Sequence, residues 1–391
     1  MSDKKVRFGI VGLGNMGSEH VHSIMGMNEA TVGAVCDVDL SKTEKYTARY
    51  GMKAFSNHRE MIKSGLIDAV LVSTPHYDHV PIGIDALEGG LHVLVEKPIA
   101  VSVKAARQII EVSKKFPNQK FGIMFNQRTN PMYQKMRELI ADGELGTVRR
   151  VTWLITDWFR TWSYYASGGW RATWAGEGGG VLINQCPHNL DLIQWVTGMI
   201  PNRITAVGFV GKTHPIEVED EMSAILEYPN GAIGHFVTST GEAPGTNRFE
   251  ICGDRGKIVA EHGKITFTRT RENVQEVNQK SPKSFASIET WTIDIPYPRA
   301  EGGEHKRLTE NFIKSILHGT PMLGPGVEGI HGLEIGNAMM MSGLTRKPVE
   351  LPVDGDTYDA FLSDMAKQYG GRKTLTTKKD NVDMSASFAK A

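Results

Sequence analysis

The sequence predicts two domains: an α/β Rossmann domain with a doubly wound parallel sheet, and an α+β domain with an open, mostly antiparallel sheet. From Val6 to about Phe125, short apolar runs alternate with amphipathic stretches, as in strands linked by crossover helices. After Asn126, strands joined by short turns dominate, which favours antiparallel pairing. The 391 residues also exceed the roughly 250 to 300 that one hydrophobic core usually supports. The predicted boundaries are 1–125 and 126–370 for the two domains and 371–391 for a polar tail.

The predicted strands of the first domain are five short apolar runs, which read VRFGIVG, TVGAVC, DAVLVS, HVLVE and KFGIM. The stretches HVPIGIDALEGG and VKAARQIIEVSKKF between them are amphipathic and long enough for crossover helices. Strands linked in this way pair in parallel, so we expect their carboxyl ends to meet at one edge of the sheet.

The second domain is predicted to contain eight strands and four helices. The strands read TVRRVTWLITDW, RITAVGFVG, DEMSAILEY, GAIGHFVTST, RFEICGD, GKIVAE, GKITFTRT and ETWTIDI. Turn signals at 229–231 (PNG) and 253–256 (GDRG) join neighbouring strands. The predicted helices span about 132–140, 185–196, 307–317 and 327–341.

Charge and composition exclude several classes of protein. The chain has 44 Lys and Arg and 44 Asp and Glu, so no excess positive charge is present to hold a nucleic-acid backbone. No apolar run reaches about 20 residues, and the first residues run directly into a strand, so we expect neither a membrane span nor a signal peptide. Three scattered cysteines without a CxxC pair favour a reducing, cytoplasmic location and predict no metal site.

A glycine-rich loop follows the first strand and precedes a predicted helix over Ser18–Met27. The loop satisfies GxGxxG in the strand–loop–helix context in which this motif binds a dinucleotide. The first glycine permits a tight turn, the second lets backbone N–H groups approach a pyrophosphate, and the third allows close helix packing. The helix N-terminus adds the positive end of a dipole. The loop residues are Gly12, Leu13, Gly14, Asn15, Met16 and Gly17.

Asp37 ends the second predicted strand, 20 residues after Gly17. This spacing is the one expected for a carboxylate that accepts hydrogen bonds from an adenosine ribose. Its negative charge repels a 2′-phosphate, so the sequence predicts NAD as the cofactor and disfavours NADP.

Four motifs, in one order along the chain, carry a family resemblance. They are GLGNMG at 12–17, STP at 73–75 with His79, EKP at 96–98, and a glycine-rich segment leading to PHNLD at 187–191. Over about residues 5 to 350, the chain resembles the glucose-fructose oxidoreductase, inositol dehydrogenase and rhizopine catabolism (Gfo/Idh/MocA) family. The resemblance implies an enzyme that oxidises or reduces secondary alcohols of sugars or cyclic polyols with a nicotinamide cofactor. It also implies a homo-oligomer formed through the open sheet, since a bare apolar sheet face must be covered.

The resemblance assigns Lys97 and His188 to catalysis. Lys97 matches the family's active-site lysine, and a cation at the end of a parallel strand would stabilise a developing alkoxide. His188 matches the histidine of an Asp-x-x-x-His motif, and its imidazole suits proton transfer. The aspartate position of this motif holds Asn184, which cannot accept a proton and is expected to orient the substrate or Lys97. Asp191 is expected either to orient His188 or to lie on the helix surface, and Cys186 to be a small buried side chain.

By the same resemblance, residues that follow three strands line the cofactor. Those after DAVLVS face the adenosine and pyrophosphate, and those at the domain crossover approach the nicotinamide. They are Ser73, Thr74, Pro75 and His79 after DAVLVS, Glu96 and Lys97 after HVLV, and Asn126 and Arg128 at the crossover.

An aromatic segment follows the first strand of the second domain. Five of the seven tryptophans fall within 22 residues, from Trp153 to Trp174. The glycine-rich, irregular part at 157–180 predicts a long loop over the cleft, where rings stack on sugar faces. The alternative is that the rings pack a domain or subunit interface. The residues predicted to bind substrate are Trp158, Arg160, Tyr165, Arg171 and Trp174, together with Asn184 and His188.

These features predict an NAD-dependent dehydrogenase that oxidises a secondary ring hydroxyl of a sugar or glycoside to a keto-sugar. The 3-position of a hexose ring is the most specific expectation. An inositol or other cyclic polyol dehydrogenase is the alternative enzyme. A glycosidase that recycles hydride and a non-catalytic NAD-sensing regulator are further alternatives, and the presence of both Lys97 and His188 counts against the regulator.

Overall fold

The computed structural model describes residues 5–300 and 303–375, so most of the predicted tail at 371–391 lies outside the described residues. The described chain forms one sheet of six strands and another of nine strands. In this part of the chain, no helix is both long and apolar enough to cross a membrane. The two sheets confirm the predicted fold class.

The first domain is built on the six-stranded sheet. Its strands are β1 (Val6–Val11), β2 (Ala30–Cys36), β3 (Lys53–Phe55), β4 (Ala69–Val72), β5 (His92–Val95) and β6 (Phe121–Ile123). They lie in the order β3-β2-β1-β4-β5-β6, and every neighbouring pair is parallel. The central strand β4 is apolar and buried throughout, because both faces of such a sheet are covered.

Five helices connect these strands. They are α1 (Asn15–Met25), α2 (Glu44–Tyr50), α3 (His58–Lys63), α4 (His79–Glu88) and α5 (Val103–Lys114). The sequence did not predict α2, α3 or β3. These elements contain seven, six and three residues, which is too short for a periodic pattern to stand out.

The second domain is built on the nine-stranded sheet. Its strands are β7 (Val148–Ile155), β8 (Arg203–Val210), β9 (Glu219–Glu227), β10 (Ile233–Ser239), β11 (Asn247–Gly253), β12 (Gly256–Glu261), β13 (Lys264–Thr270), β14 (Thr290–Ile295) and β15 (Val349–Glu350). The order is β14-β13-β12-β11-β7-β10-β9-β8-β15. All neighbours are antiparallel except β7 and β10, which confirms a mostly antiparallel sheet.

Eight helices follow β6 in the described part of the chain. They are α6 (Pro131–Ala141), α7 (Trp162–Ala166), α8 (Val181–Asn184), α9 (Pro187–Thr197), α10 (Val274–Lys280), α11 (Glu304–His318), α12 (Gly329–Thr345) and α13 (Gly355–Tyr369). The sequence missed α13, although Asp354 caps its first turn and Tyr358, Phe361 and Leu362 form a buried stripe at helical spacing.

Helices α12 and α11 fix the rest of the architecture around the site. A Cβ on Gly332 of α12 would lie 2.8 Å from the backbone nitrogen of Asp191, so glycine lets α12 pack closely on α9. Helix α11 returns to the first domain, where the ring of Phe312 lies 6.4 Å from that of Phe8. Residues of α11 thus pack in the hydrophobic core of the first domain. The predicted domain boundary at residue 125 stays a prediction.

Candidate active site

The carboxyl ends of five parallel strands lie in one row. Cys36, Val11, Val72, Val95 and Ile123 pair side by side at this edge. In open α/β sheets, ligands bind outside this edge where the strand order reverses, which here is between β1 and β4. The predicted cofactor residues follow these ends directly.

The glycine-rich loop between β1 and α1 has the shape of a phosphate cradle. Gly12 has a φ of +88°, and a Cβ on Gly17 would lie 1.8 Å from the carbonyl oxygen of Gly12, so both positions require glycine. A Cβ on Gly14 would meet no described atom within 4 Å. Asn15 and Met16 begin α1, whose N-terminus has no capping side chain in the described part of the chain. The cradle is therefore open to an anion.

Asp37 and Ser73 hold this loop from two sides. Asp37 is 7% exposed and accepts hydrogen bonds from the backbone N–H groups of Leu13 (2.8 Å) and Asp39 (2.9 Å). The hydroxyl of Ser73 donates to the carbonyl oxygen of Gly12 over 2.8 Å. The predicted contact of Asp37 with a ribose stays a prediction, and its place at the end of β2 agrees with it.

Several buried polar atoms mark the space beside the cradle. Thr74 Oγ1, Asn126 Oδ1 and both ring nitrogens of His188 are buried and have no hydrogen-bond partner among the described residues. Buried polar groups are normally satisfied, so a ligand is expected to supply these partners. Together with the glycine cradle and Asp37, the Thr74 and Asn126 atoms fit a nicotinamide dinucleotide lying along the sheet edge.

His79 links two of the cofactor loops. Its Nδ1 lies 2.7 Å from the carbonyl oxygen of Pro98, and its Nε2 lies 2.9 Å from that of Thr74. Thr74 and Pro75 follow β4, and Pro98 follows β5, so the buried ring braces the two loops. Burial lowers the pKa of His79, so the neutral ring donates to one of these two carbonyl oxygens. Its predicted contact with the cofactor stays a prediction.

Glu96 is a buried carboxylate between α1 and Lys97. Its Oε1 lies 2.7 Å from His20 Nε2, and its Oε2 accepts the backbone N–H of Lys97 over 3.2 Å. Burial alone raises the pKa of Glu96, but the hydrogen bond and charge of His20 and the charges of His305 and Lys97 lower it to about 2. Glu96 is therefore an anion that favours a cation at Lys97.

Lys97 reaches from the first domain to the second. Its Nζ donates to the backbone carbonyl oxygen of Asn184 over 2.9 Å. Burial lowers the pKa of Lys97, and Arg171 acts in the same direction, whereas Glu96 and Glu177 raise it. Asn184 thus contacts Lys97 through its backbone carbonyl oxygen and not through the side-chain amide, and the orienting role of the amide stays a prediction.

His188 lies in the first turn of α9 and is 5% exposed. Burial lowers its pKa well below the ordinary value of 6.5, and the charge of Lys97 lowers it further. The imidazole is therefore neutral at neutral pH, and its two unpartnered nitrogens leave it able to accept a proton from a ligand.

The side chain of Asn184 is held by residues that the sequence analysis did not single out. Its Nδ2 donates to the Glu177 carboxylate, and its Oδ1 accepts from the Tyr164 hydroxyl (3.2 Å) and from Gln185 Nε2 (3.3 Å). Arg171 Nη1 donates to the same Tyr164 hydroxyl over 2.8 Å. In the sequence, only the nearness of Tyr164 and Glu177 to the motif at 187–191 could have pointed to them.

The segment after β7 surrounds two arginines with aromatic rings. The guanidinium of Arg160 lies 5.3 Å from the ring centre of Trp158 and 5.1 Å from that of Tyr164. Arg171 lies 4.6 Å from the Tyr164 ring and 4.9 Å from the ring of Trp170. Apart from the five-residue helix α7, the segment is irregular, as predicted. Stacked guanidinium groups of this kind bind hydroxyls or carboxylates at their edges.

Two aromatic residues predicted to bind substrate are core residues instead. Tyr165 is 3% exposed, and its hydroxyl donates to Thr240 Oγ1 over 2.8 Å. Trp174 is 1% exposed and packs edge-on against Phe361 of α13, with ring centres 6.3 Å apart. Both rings are packed in the interior, which does not support the predicted substrate contact, and that contact stays a prediction.

Arg128 also differs from its predicted role. Its Nε and Nη2 donate to Asp191 over 2.7 and 2.6 Å, and its Nη1 donates to the Leu323 carbonyl oxygen (3.0 Å) and to the Glu328 carboxylate. The buried guanidinium is paired with these residues, which does not support the predicted cofactor contact, and that contact stays a prediction. Asp191, 1% exposed, neither orients His188 nor lies on the helix surface.

Cys186 is a buried thiol, as predicted. It is 0% exposed, its Sγ lies 3.1 Å from Thr238 Oγ1, and burial raises its pKa to about 12, so it is not a thiolate near neutral pH. Across residues 5–300 and 303–375, no three His, Cys, Asp or Glu side chains come together in a way that could hold a metal ion.

The parallel sheet, the glycine cradle and the mixed second sheet define a two-domain protein of the dinucleotide-binding Rossmann class. Residues 6–121 match the family model described as the oxidoreductase family with an NAD-binding Rossmann fold. Residues 133–259 match the model of the GFO/IDH/MocA C-terminal domain. These two matches together span more than half of the chain. The chain belongs to the Gfo/Idh/MocA family of oxidoreductases.

Several named proteins are similar to this chain. Inositol 2-dehydrogenase from Corynebacterium glutamicum is 26% identical over 236 residues, which are 59% of this chain and 66% of that protein. Myo-inositol 2-dehydrogenase from Thermotoga maritima is 23% identical over 361 residues, 88% of this chain and 98% of that protein. The WlbA dehydrogenase from Bordetella pertussis, crystallised with NADH and UDP-GlcNAcA, has a TM-score of 0.75 at 24% identity, covering 90% of this chain and 100% of that one. At this identity, the structural likeness shows the shared fold.

Proposed function

We propose that this protein is a cytoplasmic NAD-dependent dehydrogenase that oxidises a secondary ring hydroxyl of a sugar or glycoside to a keto-sugar. The observation that carries the proposal is the pair of Lys97 and His188 at the carboxyl edge of the parallel sheet. Lys97 is a cation bound across the cleft, and His188 is a buried imidazole without a protein partner among the described residues. A protein that only binds a dinucleotide gains nothing from such an imidazole, since an unsatisfied buried group costs stability.

The two side chains divide the work on the hydroxyl. Bound NAD supplies the acceptor for the hydride that leaves the substrate carbon. His188, kept neutral by burial, accepts the hydroxyl proton. Lys97, held by the carbonyl oxygen of Asn184 and by the charge of Glu96, stabilises the negative charge that develops on the oxygen. The secondary alcohol of the substrate is thereby converted to a ketone.

The segment after β7 favours a sugar or glycoside over an inositol. Phe159 and Trp162 are 50% and 59% exposed, so their faces are available to the C–H face of a sugar or to an aglycone. Arg160 and Arg171 lie nearby and offer donors to hydroxyls. Relatives named as inositol dehydrogenases and a neighbour crystallised with UDP-GlcNAcA support a hydroxyl-bearing ring. The 3-position of a hexose ring is the position to test first.

NAD is favoured over NADP by the position of Asp37. The carboxylate stands at the end of β2, beside the loop that would hold the pyrophosphate, and it accepts hydrogen bonds from that loop. A 2′-phosphate on the adenosine ribose would meet this negative charge in a nearly buried position.

The proposal is tested by NADH formation with purified protein. The assay offers NAD or NADP with a panel of free sugars, inositols, and aryl or C-linked glycosides. We expect turnover on a ring hydroxyl with a higher kcat/KM for NAD, and a loss of about 10³-fold in Lys97→Met, which keeps the length of the side chain without its charge.

Dinucleotide binding, followed by NADH fluorescence, serves as the control and is expected to persist in Lys97→Met. Dinucleotide binding without turnover on any substrate would contradict the dehydrogenase. Equal turnover of Lys97→Met and the unchanged protein would contradict the role of Lys97.

The open face of the nine-stranded sheet supports a homo-oligomer. Along β8, Ile204 and Ala206 are buried beneath the helices, whereas Val207 and Phe209, on the opposite face of the strand, are 47% and 42% exposed. Ile225 of β9, on the same face, is 46% exposed. Exposed apolar side chains that lie together on one sheet face favour association, and we propose that a second copy of the chain covers them.

We expect sedimentation velocity to show an oligomer and Val207→Glu with Ile225→Glu to convert it to monomer, because the paired face cannot bury four carboxylates in a dimer. Val38→Glu is the matched control, since Val38 is an apolar residue 91% exposed elsewhere on the surface. A monomer in the unchanged protein, or an oligomer that survives the double substitution, would contradict the proposal.

A further inference from the structure

A buried carboxylate that the mechanism above does not use lies beside Asn184. Glu177 is 1% exposed and directly precedes the glycines at 178–180. One of its oxygens accepts the backbone N–H of Ala172 over 2.6 Å, and the other accepts from Asn184 Nδ2 and lies 3.7 Å from Arg171 Nη1. All three contacts are with donors, which the ionised carboxylate satisfies best. A second buried carboxylate, Glu219, is close enough for the charge of Glu177 to raise its pKa.

Glu177 closes a ring of four side chains. Arg171 donates to the hydroxyl of Tyr164, Tyr164 donates to Asn184 Oδ1, Asn184 Nδ2 donates to Glu177, and Glu177 faces Arg171 again. The amide of Asn184 has only one orientation that fits this ring, because its nitrogen must face the carboxylate and its oxygen the phenol. Helix α8, whose last residue is Asn184, also presents the carbonyl oxygen that binds Lys97.

The same carboxylate balances two cations. Lys97 and Arg171 both lie close to Glu177, and their charges oppose the effect of burial, which raises the pKa of Glu177. In return, the charge of Glu177 raises the pKa of Lys97, whereas Arg171 lowers it. Asn184 itself brings no charge. Removing Glu177 would therefore leave two partly buried cations facing each other, which is costly.

We propose that Glu177 is the positioning residue of the active site: it orients the Asn184 amide and keeps Lys97 cationic by supplying the negative charge on this side of the cleft. The proposal deepens the proposed function and rests on it for the reaction that Lys97 serves. Glu177, in the glycine-rich segment, is then a second charge partner of Lys97 besides Glu96.

The test first removes the carboxylate of Glu177 and then exchanges the carboxylate and the amide between Glu177 and Asn184. Glu177→Gln removes the charge. The pair Glu177→Gln with Asn184→Asp swaps carboxylate and amide between two hydrogen-bonded neighbours, so one negative charge and one hydrogen bond return. Glu217→Gln is the matched control, because Glu217 is also buried, 7% exposed, and accepts a backbone N–H, that of Gly371, over 2.8 Å.

The first readout needs no turnover. Competitive acetylation with trace acetic anhydride, followed by mass spectrometry across pH 6 to 11, gives the titration midpoint of Lys97. We expect the Lys97 midpoint to fall by about one pH unit in Glu177→Gln. In the swapped pair and in Glu217→Gln, we expect it to equal the midpoint of the unchanged protein. An unchanged midpoint in a folded Glu177→Gln, or a folded swapped pair that fails to restore it, overturns the proposal.

The second readout is the pH profile of kcat. A cationic Lys97 is required for turnover, so the alkaline limb is expected to move to lower pH by about one unit in Glu177→Gln and to return in the swapped pair. A purely structural role would lower kcat without moving the limb, and this result overturns the proposal. If the unchanged protein shows no turnover, the proposed function fails, and the acetylation midpoints still decide the role of Glu177.

Discussion

Replacing His188 with asparagine is expected to lower kcat/KM at pH 7 by about 10²- to 10⁴-fold, the range that a positioned acid or base contributes. The imidazole is buried, neutral and without a partner among the described residues, so it is the acceptor available to a substrate hydroxyl. Its pKa is lowered by burial, so the ring stays neutral as the pH falls from 7 to its ordinary value of 6.5. Over this interval, the kcat/KM of the unchanged protein is expected to be flat.

The measurement is the initial rate of NADH formation across pH, with thermal unfolding and dinucleotide binding measured on the same samples. His318→Asn is the matched control, because His318 is 55% exposed at the end of α11 and pairs with Glu29 far from the cleft. Near-normal turnover in a folded His188→Asn would assign the proton to Lys97 alone. An acid limb near pH 6.5 in the unchanged protein would contradict a depressed pKa at His188.

The cofactor side of the site could be predicted because its residues follow strands directly. Gly12, Asp37 and Lys97 each stand just after an apolar run, and parallel strands place such positions at one edge whatever the intervening helices do. The missed elements α2, α3 and β3 do not change the order of these strand ends. They add Phe55 of β3 at this edge, where its carbonyl oxygen accepts the backbone N–H of Asp37 over 3.2 Å.

The substrate side could not be predicted to the same depth because neighbouring residues there serve opposite purposes. Tyr164 and Tyr165 are adjacent in α7, yet the first hydroxyl bonds Asn184 and the second bonds Thr240 in the interior. A helix of five residues has no periodic pattern that would tell its two faces apart. Trp174 shows the same limit, since composition alone does not separate a buried ring from a binding ring.

The partners of Arg128 could not be predicted, for a different reason. It follows β6 at the same edge as the cofactor residues, and a cation there is typical of a ligand contact. Its carboxylate partner Asp191 is 63 residues away in the sequence, on α9, and only the packing of that helix brings the two together. Long-range pairing of this kind leaves no local pattern in a single sequence.

The Arg128–Asp191 pair is expected to be essential for stability, so that Asp191→Leu lowers the free energy of unfolding by about 3 to 5 kcal/mol. Arg128 is 0% and Asp191 1% exposed, and the bidentate contact satisfies both charges. Without Asp191, the guanidinium stays buried with only the Leu323 carbonyl oxygen and the Glu328 carboxylate as partners. Guanidinium unfolding followed by circular dichroism measures the change.

The double variant Arg128→Met with Asp191→Leu separates a buried charge from lost packing. Removing both partners leaves no fully buried charge unpaired, since Glu328, which also loses its cation, is 39% exposed. We therefore expect the double variant to recover most of the stability that Asp191→Leu loses. Additive losses would contradict this expectation and would show that the side chains stabilise the fold mainly by packing. Because the pair ties α9 to the loop after β6, the double variant is also expected to lose turnover through a displaced His188 while it keeps its fold.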